Sequence, residues 1–299
     1  MNERVEPGSL SAFLLAARPR TLTAAVSPVL VGGSIAWNDD TFALLPFLAA
    51  LVGAVWIQVG TNVANDLYDY VRGTDTSSRL GPPRAAQSGL LTTAQLRLAM
   101  IVSFSLAALC GVYLVVRAGW PIAIAGVLAI ASGIAYTAGP LPLAYVGIGD
   151  LFVFIFFGLV AVCGTYYVQA GVLSLEAVLA SVPVGLLTTA ILVVNDVRDI
   201  ESDTRAGKRT LAIRFGRKFG LAEYASLMIL SYCWLFLLAY FAGNWWLLLP
   251  WLNFPWVLSL IRYFFRTEPG PRLNLLLART AQHLLLYSVL LSFGFLIRA

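Results

Sequence analysis

Two short polar islands interrupt an otherwise apolar chain, and their side chains are of the kind that bind cations. The first island reads GTNVANDLYDYVRGTDTSSRLGPPRAAQSG from Gly60, and the second reads VVNDVRDIESDTRAGKRTLAIRFGRK from Val193. In the second island Asn195, Asp199 and Asp203 recur at every fourth residue, so a helix places their oxygen atoms along one stripe. This spacing predicts a set of ligands on one helix face.

The first island has a similar pattern. Two overlapping helical stripes lie here, formed by Asn62, Asp66 and Asp69 and by Asn65 and Asp69. Asp75 lies beyond both stripes, and Gly73 gives the chain the freedom to leave the helix and turn Asp75 back. The first island therefore predicts a second set of ligands.

Gathered into one cavity, these carboxylates would repel one another strongly without cations. Oxygen ligands suit Mg²⁺, which binds through one or two carboxylates together with substrate phosphate oxygens. In each island basic residues follow the acidic stripe and suit a diphosphate leaving group. They are Arg72, Arg79 and Arg84 in the first island and Arg205, Lys208 and Arg209 in the second. Two Mg²⁺ ions and a diphosphate would balance the charge.

The elements that position the islands are predicted to be membrane helices. Of the 299 residues, 59% are hydrophobic and 12% are charged, against roughly 25% charged residues in a soluble domain. The 20 Lys and Arg residues are scattered between apolar segments, which is not the single basic face of a nucleic-acid-binding protein. We therefore expect an integral membrane protein with the lipid bilayer, and no nucleic acid, as its surroundings.

Nine segments are apolar enough and near the length of about 20 residues that crossing a bilayer requires. Lipid cannot satisfy exposed backbone groups, so each segment is predicted to be an α-helix. The segments are 21–38, 42–64, 95–116, 120–137, 148–170, 174–194, 221–241, 245–265 and 279–297. The predicted fold is all-α, a bundle of nine transmembrane helices in a single domain covering 1–299.

The basic residues predict the orientation of this bundle. With the N-terminus in the cytoplasm, every Lys and Arg except Arg117 and Arg298 lies on the cytoplasmic side, as the positive-inside rule requires. Nine spans then place the C-terminus outside, and both islands face the cytoplasm from a cell (inner or plasma) membrane. Residues 1–20 form an interfacial N-terminal segment in which 8–20 is a short amphipathic helix.

A plainer interpretation treats both islands as solvated helix ends whose Asp and Arg side chains pair at the membrane surface. That explains charge near a membrane, but not two Asn/Asp stripes on the same leaflet that are each followed by basic residues. The metal and diphosphate site is therefore the favoured interpretation.

At this point the islands resemble a known family. NDLYD and NDVRDIESD are similar to the paired aspartate-rich motifs of the UbiA superfamily of intramembrane prenyltransferases. The longer sequences of the two islands resemble the branch of this superfamily that prenylates 1,4-dihydroxy-2-naphthoate in menaquinone synthesis. Three further segments resemble the same branch, namely ARPRTLTAAVSPVLVG, YTAGPLPLAYVGIGDLFVFIFFG and LNLLLARTAQHLLLY. The resemblance covers nearly the whole chain and implies helices around a central cavity, capped by the two cytoplasmic motif loops.

The resemblance also implies roles for individual residues. The Mg²⁺ ligands would be Asn65, Asp69, Asn195, Asp199 and Asp203, with Asp75 as a further ligand and Asp66 close behind. The catalytic acids would be Asp66, Asp69 and Asp199. Substrate binding would fall to Arg72, Lys208 and Arg209 at the phosphates, together with Asn62, Arg84 and Tyr136.

The implied reaction starts with ionisation of a prenyl diphosphate, and the naphthoate ring then attacks the allyl cation with loss of carbon dioxide. Two departures from the wider superfamily favour the naphthoate branch. The last acid of NDxxDxxxD would fall on Gly73 and is displaced here to Asp75, and Tyr136 is followed at the Tyr-xxx-Lys spacing by Pro140 instead of lysine.

Several alternatives remain open from the sequence. The acceptor in a related enzyme would be hydroxybenzoate or homogentisate, and a different class of protein would be a divalent-cation transporter, whose acids would lie at the bilayer midplane. Arg18 and Arg20 either guide the aromatic carboxylate or anchor the interfacial helix. Tyr136 either contacts the acceptor or anchors a helix end, and His283 is expected to pack or make a polar contact.

Overall fold

A computed structural model describes residues 5–74, 80–140 and 142–297, and every regular element in these ranges is helical. The ten main helices are α1 (Leu10–Ala17), α2 (Thr23–Asn38), α3 (Leu44–Val71), α4 (Thr93–Ala118), α5 (Trp120–Ala135), α6 (Gly149–Ala170), α7 (Leu175–Arg198), α8 (Arg217–Ala242), α9 (Trp245–Arg266) and α10 (Leu273–Leu296). Short helical turns at Leu143–Val146, Ile200–Arg205 and Leu211–Phe215 connect some of them. The predicted all-α fold is confirmed.

Each of the nine predicted spans coincides with one of the helices α2 to α10. Within the described residues, seven of these helices, α3, α4 and α6 to α10, are long and apolar enough to cross a membrane. The helices α2 and α5 have 16 residues each, which is shorter than the length of about 20 residues for a perpendicular span. The chain is a multi-pass membrane protein, and the count of nine spans stays a prediction.

Local sequence explains where these helices begin and end. At the start of α4, the Thr92 hydroxyl accepts the backbone N–H of Gln95 at 3.2 Å, and the Gln95 side chain accepts the backbone N–H of Thr92 at 2.9 Å. This reciprocal capping satisfies two donors that a helix start leaves open. Gly119, with φ of 83°, separates α4 from α5, so these two helices are joined by a short connection.

Two apolar clusters make up the packed interior. The larger one joins α2 to helices α6 to α10, and the smaller one joins α1, α3 and α4 to residues 85–91. A cavity lies between the two clusters and is lined by helices from both. The bundle is thus packed on either side of an internal space.

The helix α6 departs from ideal geometry beside this cavity. Its segment Phe154–Val160 is a π-helix, a form often found at functional sites. A Cβ on Gly158 would lie 2.8 Å from the Cα of Gly185, so only glycine allows α6 and α7 to approach this closely. The contact fixes the start of α6 relative to the end of α7, where the second island begins.

Candidate active site

The cavity between the clusters has a volume of about 800 Å³, and both polar islands lie on its wall. The first island contributes Asn62, Asn65, Asp69 and Arg84, and the second contributes Asn195, Asp196, Asp199, Ser202, Asp203 and Lys208. Much of the remaining wall is apolar and is formed by α2 to α7. The cavity therefore has a polar pole, formed by the two islands, and an apolar remainder.

The helical stripe of the second island continues past the end of α7. The backbone N–H of Asp199 donates to the Asn195 carbonyl at 3.1 Å, and that of Asp203 donates to the Asp199 carbonyl at 2.8 Å. The chain therefore stays nearly helical from α7 into Ile200–Arg205, and the three side chains remain on one face. In the first island α3 itself continues to Val71, past the predicted end of the span at 64.

Internal cations balance the acids of the islands. Within the described part of the islands, Arg84 pairs with Asp69 at 2.9 Å, Arg198 with Asp199 at 2.5 Å and Lys208 with Asp203 at 2.9 Å. Burial acts to lower the pKa of the Lys208 ammonium, but the charges of Asp203 and Asp69 outweigh burial and raise that pKa. The repulsion expected among these acids is thus relieved within the chain itself.

The donors at this pole suit Mg²⁺ by their chemistry. They are carboxylate and amide oxygens from both islands, which are the hard ligands that Mg²⁺ prefers. Among the described residues, no three His, Cys, Asp or Glu side chains already stand together as a cation site. Because Mg²⁺ usually takes few protein ligands and completes its shell with phosphate oxygens and water, this donor set fits an ion that arrives with a diphosphate.

Asp66 holds the loop that follows the first island. Its buried carboxylate accepts the backbone N–H groups of Ala85 at 2.9 Å and of Ala86 at 3.2 Å, and it does not line the cavity. The next residue back along the loop, Arg84, carries the ion pair to Asp69. Asp66 therefore positions Arg84, while Asp75 and Arg79 lie outside the described residues.

Two predicted phosphate-binding residues lie beside the cavity rather than on its wall. The guanidinium of Arg72 donates to the Gly139 carbonyl and lies 5.4 Å from the centre of the Tyr145 ring. Arg209 is exposed, and its backbone N–H donates to the Tyr145 carbonyl at 3.0 Å. Lys208 does line the cavity and also lies 5.4 Å from the Tyr145 ring. The loop around Tyr145 thus connects the basic residues of the two islands.

A second polar patch lies on the wall formed by the N-terminal segment and α3. Asn62 donates to the Ala17 carbonyl and to the Thr21 hydroxyl, both at 2.9 Å. Arg18, which follows α1 directly, lines the cavity, whereas Arg20 is exposed and does not. Arg18 has φ of 51°, a left-handed conformation that is uncommon for residues with a side chain. The chain therefore changes direction at Arg18, directly after α1.

Tyr136 and Asn65 face the same space from different helices. Tyr136 lines the cavity at the end of α5, and its neighbour Thr137 donates to the Asn65 side-chain oxygen at 3.0 Å. His283 lies elsewhere, fully buried and 2.8 Å from the Tyr232 hydroxyl. The polar-contact role expected for His283 therefore matches its surroundings.

Comparison with known proteins identifies the family. Residues 25–294 match the model of the UbiA prenyltransferase family. This chain belongs to the UbiA prenyltransferase family. It is 36% identical over 282 residues to the 1,4-dihydroxy-2-naphthoate octaprenyltransferase of Bacillus subtilis (94% of this chain and 90% of the relative). It is 42% identical over 210 residues to the Mycobacterium tuberculosis protein of the same name (70% and 71%).

The fold agrees with this assignment. A UbiA homologue from Archaeoglobus fulgidus, solved with GPP and Mg²⁺, superposes with a TM-score of 0.69 at 16% identity, over 96% of this chain and all of that one (100%). At this level of identity the similarity establishes the fold.

In this UbiA family member, three site residues escaped the sequence analysis. Arg198 is buried and donates to Asn195, Asp199 and Asn274, and Asn274 in turn donates to the Leu80 carbonyl at 3.0 Å. The position of Arg198 inside NDVRD was the signal available for it. Asp150 and Asp196, unlike Arg198, line the cavity, and Asp196 is the second residue of that same motif.

Proposed function

We propose that this UbiA family member transfers a polyprenyl group from a prenyl diphosphate to 1,4-dihydroxy-2-naphthoate, with Mg²⁺ and with loss of carbon dioxide. The product would be the demethylmenaquinol of menaquinone synthesis. The observation that carries the proposal is the shared cavity, in which oxygen donors and cations from both islands meet at one end of an apolar space. The acceptor 1,4-dihydroxy-2-naphthoate is supported by the names of the related octaprenyltransferases, which contain it.

The prenyl diphosphate fits this cavity by its two chemistries. Its diphosphate would lie against Lys208 and Arg84, which line the cavity, and the metal ligands proposed from the islands are Asn65, Asp69, Asp75, Asn195, Asp199 and Asp203. Mg²⁺, bound there with the diphosphate, supplies the charge stabilisation that lets the allylic carbon–oxygen bond break. The prenyl tail would lie along the apolar wall, where it needs no specific partner.

The protein contributes position and dryness to the reaction. The apolar wall excludes water, which would otherwise quench the allyl cation. Asp66 holds the loop that carries Arg84, and Arg198 fixes Asn195 and Asp199 through its hydrogen bonds. Arg72 and Arg209 would reach the diphosphate from the cavity rim. The two islands would thus hold the donor while the acceptor approaches from deeper in the cavity.

The acceptor carboxylate has a matching cation in Arg18. Arg18 shares its part of the wall with the neutral polar side chains of Thr21, Gln58 and Asn62. Asn62 lies about 10 Å along α3 from Asp69, at 1.5 Å per residue, so this polar patch is separate from the proposed metal site. Arg18 would hold the carboxylate of the acceptor there, with Tyr136 beside its ring. We assign the anchoring role to the exposed Arg20.

The membrane orientation follows the charge distribution. We propose that the islands face the cytoplasm and that the C-terminus lies outside. Residues 1–299 would form one domain in the cell membrane.

The proposed number of metal ions is two, and both Mg²⁺ ions would act together with the diphosphate.

Product analysis tests this function. The purified protein in lipid would receive one prenyl diphosphate and Mg²⁺, with dihydroxynaphthoate, hydroxybenzoate or homogentisate supplied in parallel. Mass spectrometry should find a prenylated, decarboxylated product with dihydroxynaphthoate. A prenylated product only from another acceptor would overturn the proposed acceptor, and metal flux into proteoliposomes that Asp69→Asn leaves unchanged would favour a transporter.

A further inference from the structure

Asp150 is a carboxylate on the cavity wall that belongs to neither island. It is the second residue of α6, and its Oδ1 atom is buried. Among the described residues, none donates a hydrogen bond to this oxygen. A buried oxygen without a donor is costly, and this one borders a space that is large enough for a substrate.

The start of α6 also brings Asp150 close to Tyr136. A Cβ on the neighbouring Gly149 would lie 3.4 Å from the Tyr136 hydroxyl oxygen and 3.6 Å from Leu192. The start of α6 therefore lies within van der Waals range of Tyr136 and of α7, beside Asp150. Asp150 and Tyr136 share the part of the wall where the proposed acceptor ring would lie.

The other acids on the cavity wall have different commitments. Five aspartates line the described cavity, Asp69, Asp150, Asp196, Asp199 and Asp203. Three of them hold ion pairs with Arg84, Arg198 and Lys208, and such pairing makes a carboxylate a weaker proton acceptor. Asp196 lies between the proposed ligands Asn195 and Asp199. Asp150 is thus the acid that remains for chemistry on the acceptor.

We propose that Asp150 is a catalytic residue that takes the proton from the ring hydroxyl next to the reacting carbon. This inference rests on the proposed function. As the oxygen–hydrogen bond breaks, its electron pair forms a ring carbonyl, and a ring electron pair forms the new bond to the allylic carbon. The electrons of the allylic carbon–oxygen bond leave with the diphosphate.

The same proton then completes the cycle. The intermediate carries its carboxylate one carbon from the new carbonyl, so it loses carbon dioxide, and the electrons of the broken carbon–carbon bond move onto the carbonyl oxygen. That oxygen takes the proton back from Asp150, which restores the aromatic hydroxyl and the free carboxylate. Protons and electrons balance without any further reactant.

Asp150→Asn keeps the size of the side chain but removes its ability to take a proton. We expect kcat for naphthoate prenylation to fall about 10²- to 10⁴-fold, the usual contribution of a general base, with little change in KM for the prenyl diphosphate. Asp150→Glu should recover part of the loss. Glu176→Gln is the matched control, because Glu176 also lies in the first turn of a membrane helix but does not line this cavity, and it should leave kcat unchanged.

Two further measurements separate this role from a structural one. Without acceptor, hydrolysis of the prenyl diphosphate should continue in Asp150→Asn at the wild-type rate, because donor ionisation does not need Asp150. An acceptor analogue with a methyl ether at that hydroxyl has no proton there to give up. The wild type should prenylate this analogue as slowly as Asp150→Asn prenylates the natural acceptor. Asp150→Asn should prenylate the analogue no more slowly than that, because both changes remove the same proton transfer.

The outcomes distinguish the inference from the function on which it rests. Wild-type protein that prenylates no hydroxylated aromatic acid would overturn the proposed function. Wild-type activity together with a fully active Asp150→Asn, or with a methyl ether analogue used at the full rate, would overturn the role of Asp150 alone. Equal loss of donor hydrolysis and prenyl transfer in Asp150→Asn would also overturn it, since that result indicates general damage to the site.

Discussion

At the scale of single residues, the acids of the first island differ in what they do although their spacing is regular. Asp69 lines the cavity and pairs with Arg84, whereas Asp66 points its carboxylate at two backbone N–H groups of the following loop. Both side chains are buried, and each accepts hydrogen bonds from a different kind of donor. The loop and the ion pair therefore support each other.

The ion pair between Asp69 and Arg84 can be tested by replacing Asp69 first and then both residues together. Asp69→Asn should reduce prenyl transfer at least 10³-fold. It should also destabilise the protein by about 3 kcal/mol, because it removes the buried negative charge that pairs with the Arg84 guanidinium. Arg84→Gln added to Asp69→Asn should recover stability but not activity. Thermal unfolding in detergent and turnover at saturating Mg²⁺ measure the two effects, and an active Asp69→Asn would contradict the assignment of Asp69 as a metal ligand.

Asp66 should behave differently from Asp69. Asp66→Ala removes the acceptor of two buried N–H groups, which costs about 1–3 kcal/mol for each group left without a partner. We expect faster hydrogen exchange at Ala85 and Ala86 and a higher KM for the prenyl diphosphate, because the loop carries Arg84. Exchange at these two amides that matches wild type would show that the loop does not depend on Asp66.

At the scale of helices, the cavity owes its shape to the unequal packing of α5 and α6. The helix α6 meets α7 through Gly158 and Gly185, whereas α5 packs mainly on α3 and α4. Gly126 of α5 lines the cavity, and a Cβ there would meet no atom within 4 Å outside its own helix. The apolar part of the cavity thus has open space beside α5.

This open space predicts a control over prenyl chain length. Gly126→Leu should fill part of the apolar cavity without a clash and shift use towards shorter prenyl diphosphates. Gly126→Ala is the control, because it adds a single methyl group and favours the helix by up to about 1 kcal/mol. Mass spectrometry of products from a mixture of donors measures the shift, and an unchanged product distribution in Gly126→Leu would place the tail elsewhere.

At the scale of the whole molecule, charge is distributed unequally between the two ends of the bundle. The described basic residues other than Arg117 lie at the same end as both islands, and the described connections at the other end are short. An uneven distribution of Lys and Arg sets the orientation of a membrane protein. The islands should therefore face the cytoplasm.

Single cysteines test this orientation. In a protein without Cys110, Cys163 and Cys233, we expect Val172→Cys to react with an impermeant maleimide on intact cells and Lys218→Cys to react only after permeabilisation. Both positions are exposed and lie at opposite ends of the bundle. The reverse labelling pattern would show that the islands face outward.

Apolar length and a spacing of four residues are local properties of a chain, so the all-helical membrane fold, the family and the pairing of two islands could be predicted from the sequence. It did not determine the partners of the acids. Arg84 reaches Asp69 only because the loop folds back on α3, and Asn274 reaches Arg198 from α10, whereas Arg198 pairs with its neighbour Asp199. The expected repulsion therefore gave way to internal ion pairs. Asp150 looked like one acid at the start of a span, and only the close approach of α6 and α7 placed it on the same cavity wall as the islands. The division between metal site, loop support and acceptor chemistry is therefore a property of the folded bundle, since it depends on which side chains share one enclosed space.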